Sequence, residues 1–284
     1  MAKVIIIGAG PAGVSASLYT VRAGIETLVL SNGGGALKKA ERIENYYGFP
    51  QPVSGEELMQ RGVEGARRLG VTFLEEEVVG IGFEDSLTVS TTAGRHAADA
   101  VLLATGTSRL APPIPGLKDF EGRGVSYCAV CDAFFYRGRD VAVLGSGEYA
   151  LHEAMELAAV ARSVTILTNG QTPAAAFPES FTVVTGEIAA VEGGGMLGGV
   201  RLKDGTLIQT DGLFVAIGVA GSVALAKKIG ALTEGTAISV DENMATNVPG
   251  LYAAGDCTGG LLQVSKAVYE GAKAGISIVK ALRK

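Results

Sequence analysis

The chain carries one pattern twice, and this repeat limits the possible fold more than any other feature. Lys3-Val-Ile-Ile-Ile-Gly-Ala-Gly-Pro-Ala-Gly13 is a short apolar run, a Gly-x-Gly turn and the start of a helix-like segment. Asp140-Val-Ala-Val-Leu-Gly-Ser-Gly-Glu-Tyr-Ala150 repeats it. Apolar runs without alternation read as strands buried on both faces of a parallel sheet. Helices are expected over about 12–23 and 148–160, and second strands over 27–30 and 164–167. Each unit adds a further buried strand ending at a glycine turn, Asp99 to Gly106 and Asp211 to Gly218. A strand that feeds a Gly-x-Gly turn and a helix is a dinucleotide-binding unit. The expected fold class is therefore α/β, with two Rossmann-like nucleotide-binding domains, the second inserted into the first.

The insertion follows from what comes after the second unit. Ala111-Pro-Pro-Ile-Pro115 is a stiff linker between the two. The second unit is complete by Gly218 and a strand over 237–240. Gly250-Leu-Tyr-Ala-Ala-Gly-Asp256 and a helix over 264–282 then read as a return to the first domain. The expected boundaries are 1–113 with 245–284 for the first domain and 114–244 for the central one.

Composition narrows the function. With 284 residues, 48% of them hydrophobic, the chain can bury two cores. A net charge of −5 argues against general nucleic-acid binding, which needs a basic footprint. Val4 to Val21 is uncharged over 18 residues, the lower limit of a membrane span. Gly8, Gly10, Pro11 and Gly13 break it into strand, turn and helix, so neither a span nor a signal peptide is expected, and the expected location is the cytoplasm. Three cysteines exclude a disulfide scaffold. Two distant histidines make no metal site, and none is expected.

In the first glycine motif, Gly8 allows the tight turn and Gly10 lets backbone approach a pyrophosphate. Gly13 lets the helix pack closely on the strand, and the helix N-terminus favours the negative charge. The second strand ends in Ser31-Asn32, where an acidic ribose-binding residue is usual. Adenosine binding would then rest on backbone contacts or neutral side chains.

Several motifs stand in the order found in low-molecular-weight thioredoxin reductases. They are Gly-Ala-Gly-Pro-Ala-Gly at 8–13, Glu44-Asn45-Tyr-Tyr-Gly-Phe-Pro50, Ala104-Thr-Gly106, Gly124-Val-Ser-Tyr-Cys-Ala-Val-Cys-Asp132 and Ala254-Gly-Asp256. The chain resembles that family over nearly its whole length. The resemblance implies that the first domain binds FAD and that the central one is of the pyridine-nucleotide type. It matches FAD contacts of the family to Gly10, Gly13, Asn45, Asp256 and Gln263. It extends the expected FAD-binding set to Gly8, Pro11, Ala12, Ser31, Gly35, Leu37, Val78, Ala104, Thr105, Gly106, Gly255 and Val264. The chain departs from the family at Ala36, where Gln is usual. The family forms homodimers through the flavin domain, so a homodimer is expected.

Cys128-Ala-Val-Cys131 can cycle between disulfide and dithiol, one thiolate attacking a partner disulfide while the other resolves it. Half of a zinc site or a structural pair are the alternatives; Cys257, His96 and His152 lack metal-like spacing to complete the former. Asp132 could carry the proton that the leaving thiolate needs, or cap a turn before Phe134-Phe135-Tyr136. The resemblance implies that Asp132 is the acid/base, that Cys131 faces the flavin, and that Cys128 attacks a thioredoxin-like protein. Cys257 reads as a small buried packer, His96 and His152 as incidental, and Glu75-Glu-Glu77 as a solvated turn.

The second nucleotide site looks stripped. Gly145-Ser-Gly147 keeps the phosphate turn, but an NADPH site also needs cations for the 2′-phosphate. The family's His-Arg-Arg cluster is replaced by Leu167-Thr-Asn-Gly-Gln171, and the next 29 residues, through Val200, hold no Arg or Lys. Asn169 is a weak substitute for the acidic residue that NADH would want. Two prolines in Thr172-Pro-Ala-Ala-Ala-Phe-Pro178 argue against a helix there. This pattern argues against NADPH as donor. It leaves a ferredoxin-type carrier, favoured here, a second nucleotide or flavin in the central domain, or an oxidase passing electrons to oxygen. An ordinary NAD(P)H-dependent thioredoxin reductase and a non-enzymatic flavin-binding electron carrier are the contrasting readings; the intact Cys-x-x-Cys-Asp argues against the carrier. Lys38, Lys39 and Arg42 form a basic cluster that could meet an acidic carrier, or a solvated helix face.

Overall fold

The computed structural model describes residues 2–33, 35–106, 112–127, 129–218 and 221–283, without the side chains of Lys39, Val130 and Cys131. The chain divides into two compact units, Met1–Arg109 with Gly221–Lys284, and Leu110–Ala220.

In the first unit, β1 (Lys3–Ile7) runs into α1 (Pro11–Arg22), and β2 (Glu26–Ser31) lies parallel to β1. Val4, Ile5 and Ile6 are fully buried, as an unbroken β-branched run in a covered parallel strand should be. α2 (Gly55–Arg68) starts at Ser54, whose Oγ accepts the Glu57 amide at 3.1 Å, and leads to β3 (Thr72–Glu75) beside β2. β4 (Val78–Phe83), β5 (Leu87–Thr91) and β6 (Arg95–Ala98) form a separate antiparallel sheet. β7 (Ala100–Leu103) returns to the other side of β1.

The central unit repeats the plan. β8 (Val125–Ser126) precedes a one-turn helix, α3 (Ala129–Asp132). There follow β9 (Asp140–Leu144), α4 (Glu148–Ala158), β10 (Ser163–Leu167) and β11 (Thr182–Val184). β12 (Ile188–Gly193), β13 (Leu197–Leu202) and β14 (Leu207–Gln209) make a second antiparallel sheet, and β15 (Gly212–Val215) rejoins the first. The parallel sheet has the order β11-β10-β9-β15-β8. No helix joins β10 to β11, as the prolines there predict.

The chain re-enters the first unit with α5 (Ser222–Lys228), the hairpin β16 (Thr233–Glu234) and β17 (Ala237–Ile238), β18 (Leu251–Ala253) and α6 (Val264–Leu282). Its sheet has the order β18-β7-β1-β2-β3. The return therefore comes at Gly221, ahead of the expected boundary at 245. Polar contacts explain the difference: the Ser222 amide donates to Thr105 Oγ1 at 2.9 Å, and Lys228 Nζ donates to the Val79 carbonyl at 3.2 Å. α1 and α6 meet through small residues. A Cβ on Gly271 would lie 2.1 Å from the Ala12 carbonyl oxygen, and one on Gly275 2.7 Å from that of Ala16.

Candidate functional site

The first glycine turn is built by close backbone approach. Gly8 takes φ +117°, and a Cβ there would lie 2.3 Å from the Ala104 carbonyl oxygen at the end of β7. A Cβ on Gly13 would lie 1.9 Å from the Gly8 carbonyl oxygen. Gly10, by contrast, faces open space, with nothing within 4 Å of its added Cβ. It is also the N-cap of α1 and carries no side-chain cap, and Pro11 opens the helix. The first turn thus presents backbone N–H groups to an open cradle, which suits a pyrophosphate.

The other residues expected to hold FAD have the following local settings. Gly255 brings its Cα against α1, where an added Cβ would sit 2.9 Å from the Ala12 Cβ, so Asp256 follows at the helix start. Thr105 Oγ1 and Ser222 Oγ share a hydrogen bond of 2.7 Å just before Gly106. Asn45 Nδ2 donates to Gln263 Oε1 at 3.0 Å, which joins the Glu-Asn segment to the residue before Val264 and α6. Ser31 ends β2 opposite Glu75, and its Oγ accepts the Gly33 amide. Gly35 caps the short turn Ala36–Lys39 that carries Leu37, and Val78 is buried opposite Thr91 at the start of β4.

Burial pushes the Asp256 carboxyl above the usual range; Lys266 pulls it back and Glu270 pushes it further up. Both belong to a network absent from the sequence reading. Lys266 Nζ donates to the carbonyls of Gly255 and Gly259, each at 2.7 Å, and lies 3.0 Å from Glu270 Oε2. The same Glu270 oxygen accepts the Gly255 amide and the Thr258 hydroxyl, each at 2.8 Å. The i,i+4 spacing of Lys266 and Glu270 was the available signal.

Cys128 lies outside the described residues, as does the Cys131 side chain. The backbone around them is informative. The Ala129 amide, which opens α3, donates to Glu153 Oε2 at 2.7 Å, and Glu153 on α4 is 1% exposed. Asp132 Oδ2 accepts the Ser126 hydroxyl at 2.6 Å. Burial and the nearby Glu153 hold the Tyr149 hydroxyl well above its usual range. Phe134 and Phe135 are 73% and 69% exposed, an apolar patch directly after α3.

The second glycine turn copies the first, and the loop after β10 bonds to it. Gly145 takes φ +158°, and an added Cβ would lie 2.2 Å from the Ala216 carbonyl oxygen, the counterpart of Gly8 and Ala104. The Ser146 carbonyl accepts the amides of Ala174 at 2.7 Å and Ala175 at 3.1 Å, and Ser146 Oγ donates to Gln171 Oε1 at 2.8 Å. The segment after β10 is thus folded onto the turn. Asn169, at φ +50°, uses its Oδ1 to accept the Ile188 amide at 2.7 Å. Its side chain thus caps the start of β12, in keeping with its reading as a weak substitute for the acidic residue that NADH would want.

One reading needs correction. His96 Nε2 lies 2.9 Å from Glu76 Oε2, which also accepts the Thr91 hydroxyl at 2.6 Å. These bonds hold the Glu76 carboxyl below its usual range, and Glu76 is therefore no solvated turn residue. Cys257 is fully buried, and its Sγ donates to the carbonyls of Leu103 and Ala254; burial pushes its thiol up to about 12. Among the described residues no cluster suits a metal ion, and no helix is long and apolar enough to cross a membrane.

A sequence model of the pyridine nucleotide-disulphide oxidoreductase family matches residues 2–271. The thioredoxin reductase of Aquifex aeolicus is 36% identical over 98% of this chain and 93% of its own. Among solved structures, the atypical thioredoxin reductase of Desulfovibrio vulgaris Hildenborough is 41% identical, covers 99% of both chains and has a TM-score of 0.93. The ferredoxin-flavin thioredoxin reductase of Clostridium acetobutylicum is 30% identical over 99% of this chain and 98% of its own, with a TM-score of 0.72. The chain belongs to the pyridine nucleotide-disulphide oxidoreductase family and is an oxidoreductase of thioredoxin-reductase type.

Proposed function

We propose that this protein binds FAD in the first unit and reduces a thioredoxin-like disulfide protein through Cys128 and Cys131, with electrons from a ferredoxin-type carrier rather than NADPH. The observation that carries the donor assignment is the end of β10, where Thr168-Asn169-Gly170-Gln171 offers no cation, no Arg or Lys follows before Arg201, and the Asn169 side chain is committed to the Ile188 amide. Likeness to a ferredoxin-flavin thioredoxin reductase supports the carrier class.

Bound FAD supplies a two-electron carrier. The chain's residues provide the rest: backbone N–H groups at Gly10 to Gly13 for the pyrophosphate, Asp256 beside the helix start, and Asn45 with Gln263 at the edge. Asp132, whose Oδ2 accepts the Ser126 hydroxyl, is the acid/base that gives and takes the proton of the departing thiol. Phe134 and Phe135 offer apolar surface to the protein substrate. Of the basic cluster, Lys38 is exposed, Lys39's side chain is outside the described residues, and Arg42 pairs with Glu44 at 2.6 Å, which offsets its charge. The reading includes a homodimer in the cytoplasm; sedimentation at a mass near 29.0 kDa would reject the dimer. Cys128→Ser should keep bound flavin and lose reduction of a thioredoxin-like substrate. Retained turnover would overturn the assignment.

A further inference from the structure

We propose that Lys266 and Glu270 are positioning residues of the flavin site: from one face of α6 they hold the turn Gly255–Gly259 by both its acceptors and its donors, and so fix where Asp256 stands. This rests on the reading of the first unit as the FAD-binding domain.

Glycines leave the two ends of this turn without side-chain anchors. Gly255 and Gly259 take φ of +87° and +75°, and Gly260 continues at +72°. α6 supplies the tie. Lys266 Nζ donates to the carbonyls of Gly255 and Gly259 at 2.7 Å each and to Thr258 Oγ1 at 2.9 Å, which uses the three N–H bonds of an ammonium. Glu270 Oε2, one helical turn on, accepts the Gly255 amide and the Thr258 hydroxyl at 2.8 Å each. The two side chains are 14% and 13% exposed and lie 3.0 Å apart, so each supports the charge on the other.

The order of the pair runs against what the helix alone would favour. Lys266 is in the first turn of α6, where the helix dipole disfavours a cation. Glu before Lys is also the better i,i+4 order for an isolated helix. The turn explains the reversal. The carbonyls of Gly255 and Gly259 need a donor at the near position, and the Gly255 amide needs an acceptor one helical turn further on. What the pair holds is the segment that carries Asp256 and sets Gly255 against α1, where an added Cβ would lie 2.9 Å from the Ala12 Cβ. The Asp256 carboxyl is raised first by burial, then drawn down by Lys266 and pushed up by Glu270, so both groups stand within electrostatic reach of the residue they position. With the clamp gone, the turn loses its ties to α6 and flavin is held less tightly.

The test titrates the full-length, flavin-free chain with FAD, read by quenching of flavin fluorescence, with the urea midpoint measured in parallel. Lys266→Glu combined with Glu270→Lys keeps an i,i+4 ion pair, in the order the helix prefers, but offers each partner in the turn the wrong group. A pair that served only as a helix salt bridge would survive this swap. Lys266→Met combined with Glu270→Leu replaces both charges by apolar side chains, an exchange that is often neutral for stability. The FAD Kd is expected to rise at least about tenfold in both double variants, with the urea midpoint of the apolar one close to the parent's. A parent-like FAD Kd in either double variant would overturn the inference while the FAD reading stands. A parent chain that takes up no FAD would overturn the FAD reading, and this inference with it.

Discussion

The carbonyl oxygen of Ser146 accepts the amide of Ala174 at 2.7 Å, so the loop that follows β10, which lacks any cation for a 2′-phosphate, is tied to the second glycine turn. NADPH binding to the unmodified protein is expected to be weak. The two or three missing cation contacts are each worth about 1.5–3 kcal/mol, together a loss of roughly a hundredfold or more. Gln171→Ala, which releases Ser146 Oγ, should loosen the loop without restoring affinity, because no cation is gained. Calorimetric titration checks both, and micromolar NADPH binding by the parent protein would refute the argument.

Asp256 should oppose stability and serve binding. Burial raises its folded-state pKa above the ordinary 3.8, so the native state holds the proton more tightly than the unfolded chain. Stability then falls as pH rises from the unfolded value through the folded one, and the charged carboxyl is a net cost above that window. In flavin-free protein, Asp256→Asn is expected to raise Tm at pH 7 and to change it little at pH 3. In the holoprotein, Asp256→Ala should weaken FAD retention, measured by the flavin absorbance left after dialysis.

Two glycine-to-alanine changes should have opposite signs. Gly271→Ala places a methyl 2.1 Å from the Ala12 carbonyl and must push α6 off α1, at a cost of about 1–3 kcal/mol by the scale of core overpacking. Gly65→Ala on α2 meets nothing within 4 Å and should stabilise by about 0.5–1 kcal/mol through helix propensity. Urea unfolding measures both, and equal signs would contradict the packing described for α1 and α6.

The starts of β9 and β10 are tied by Asp140, which accepts from Arg162 Nε at 2.9 Å and from the Ser163 hydroxyl at 2.6 Å. These bonds lower its carboxyl pKa to about 2. A depressed carboxylate contributes stability that is present above its unfolded value of 3.8 and lost as pH falls towards about 2. Asp140→Asn should therefore lower Tm at pH 7, with the difference closing by about pH 2. A difference that persists at pH 2 would assign the effect to packing.

Much of this architecture was legible because local pattern and tertiary role coincide. Val4 to Ile7 can only be a covered strand, and Gly8-x-Gly-x-x-Gly13 encodes the close approach to Ala104 that the structure displays. The helix over 264–282 was placed to the residue, since its apolar pattern ends at charged residues. What stayed hidden depends on contacts distant in sequence. α5 joins the first unit through Ser222 and Thr105, 117 residues apart, and no local pattern announces that bond. Asn169 reads as a degraded nucleotide ligand until Ile188 appears opposite it. The His96–Glu76 contact is hidden for the same reason, its members lying 20 residues apart. The stripped cation cluster was visible by its absence from the sequence, but the bonds that tie the loop after β10 to Ser146 were not.

The most direct test of the account is anaerobic stopped-flow reduction of the bound flavin, with NADPH, NADH and reduced ferredoxin offered in parallel. Rapid bleaching by reduced ferredoxin and negligible bleaching by either pyridine nucleotide are expected. Rapid bleaching by micromolar NADPH would contradict it.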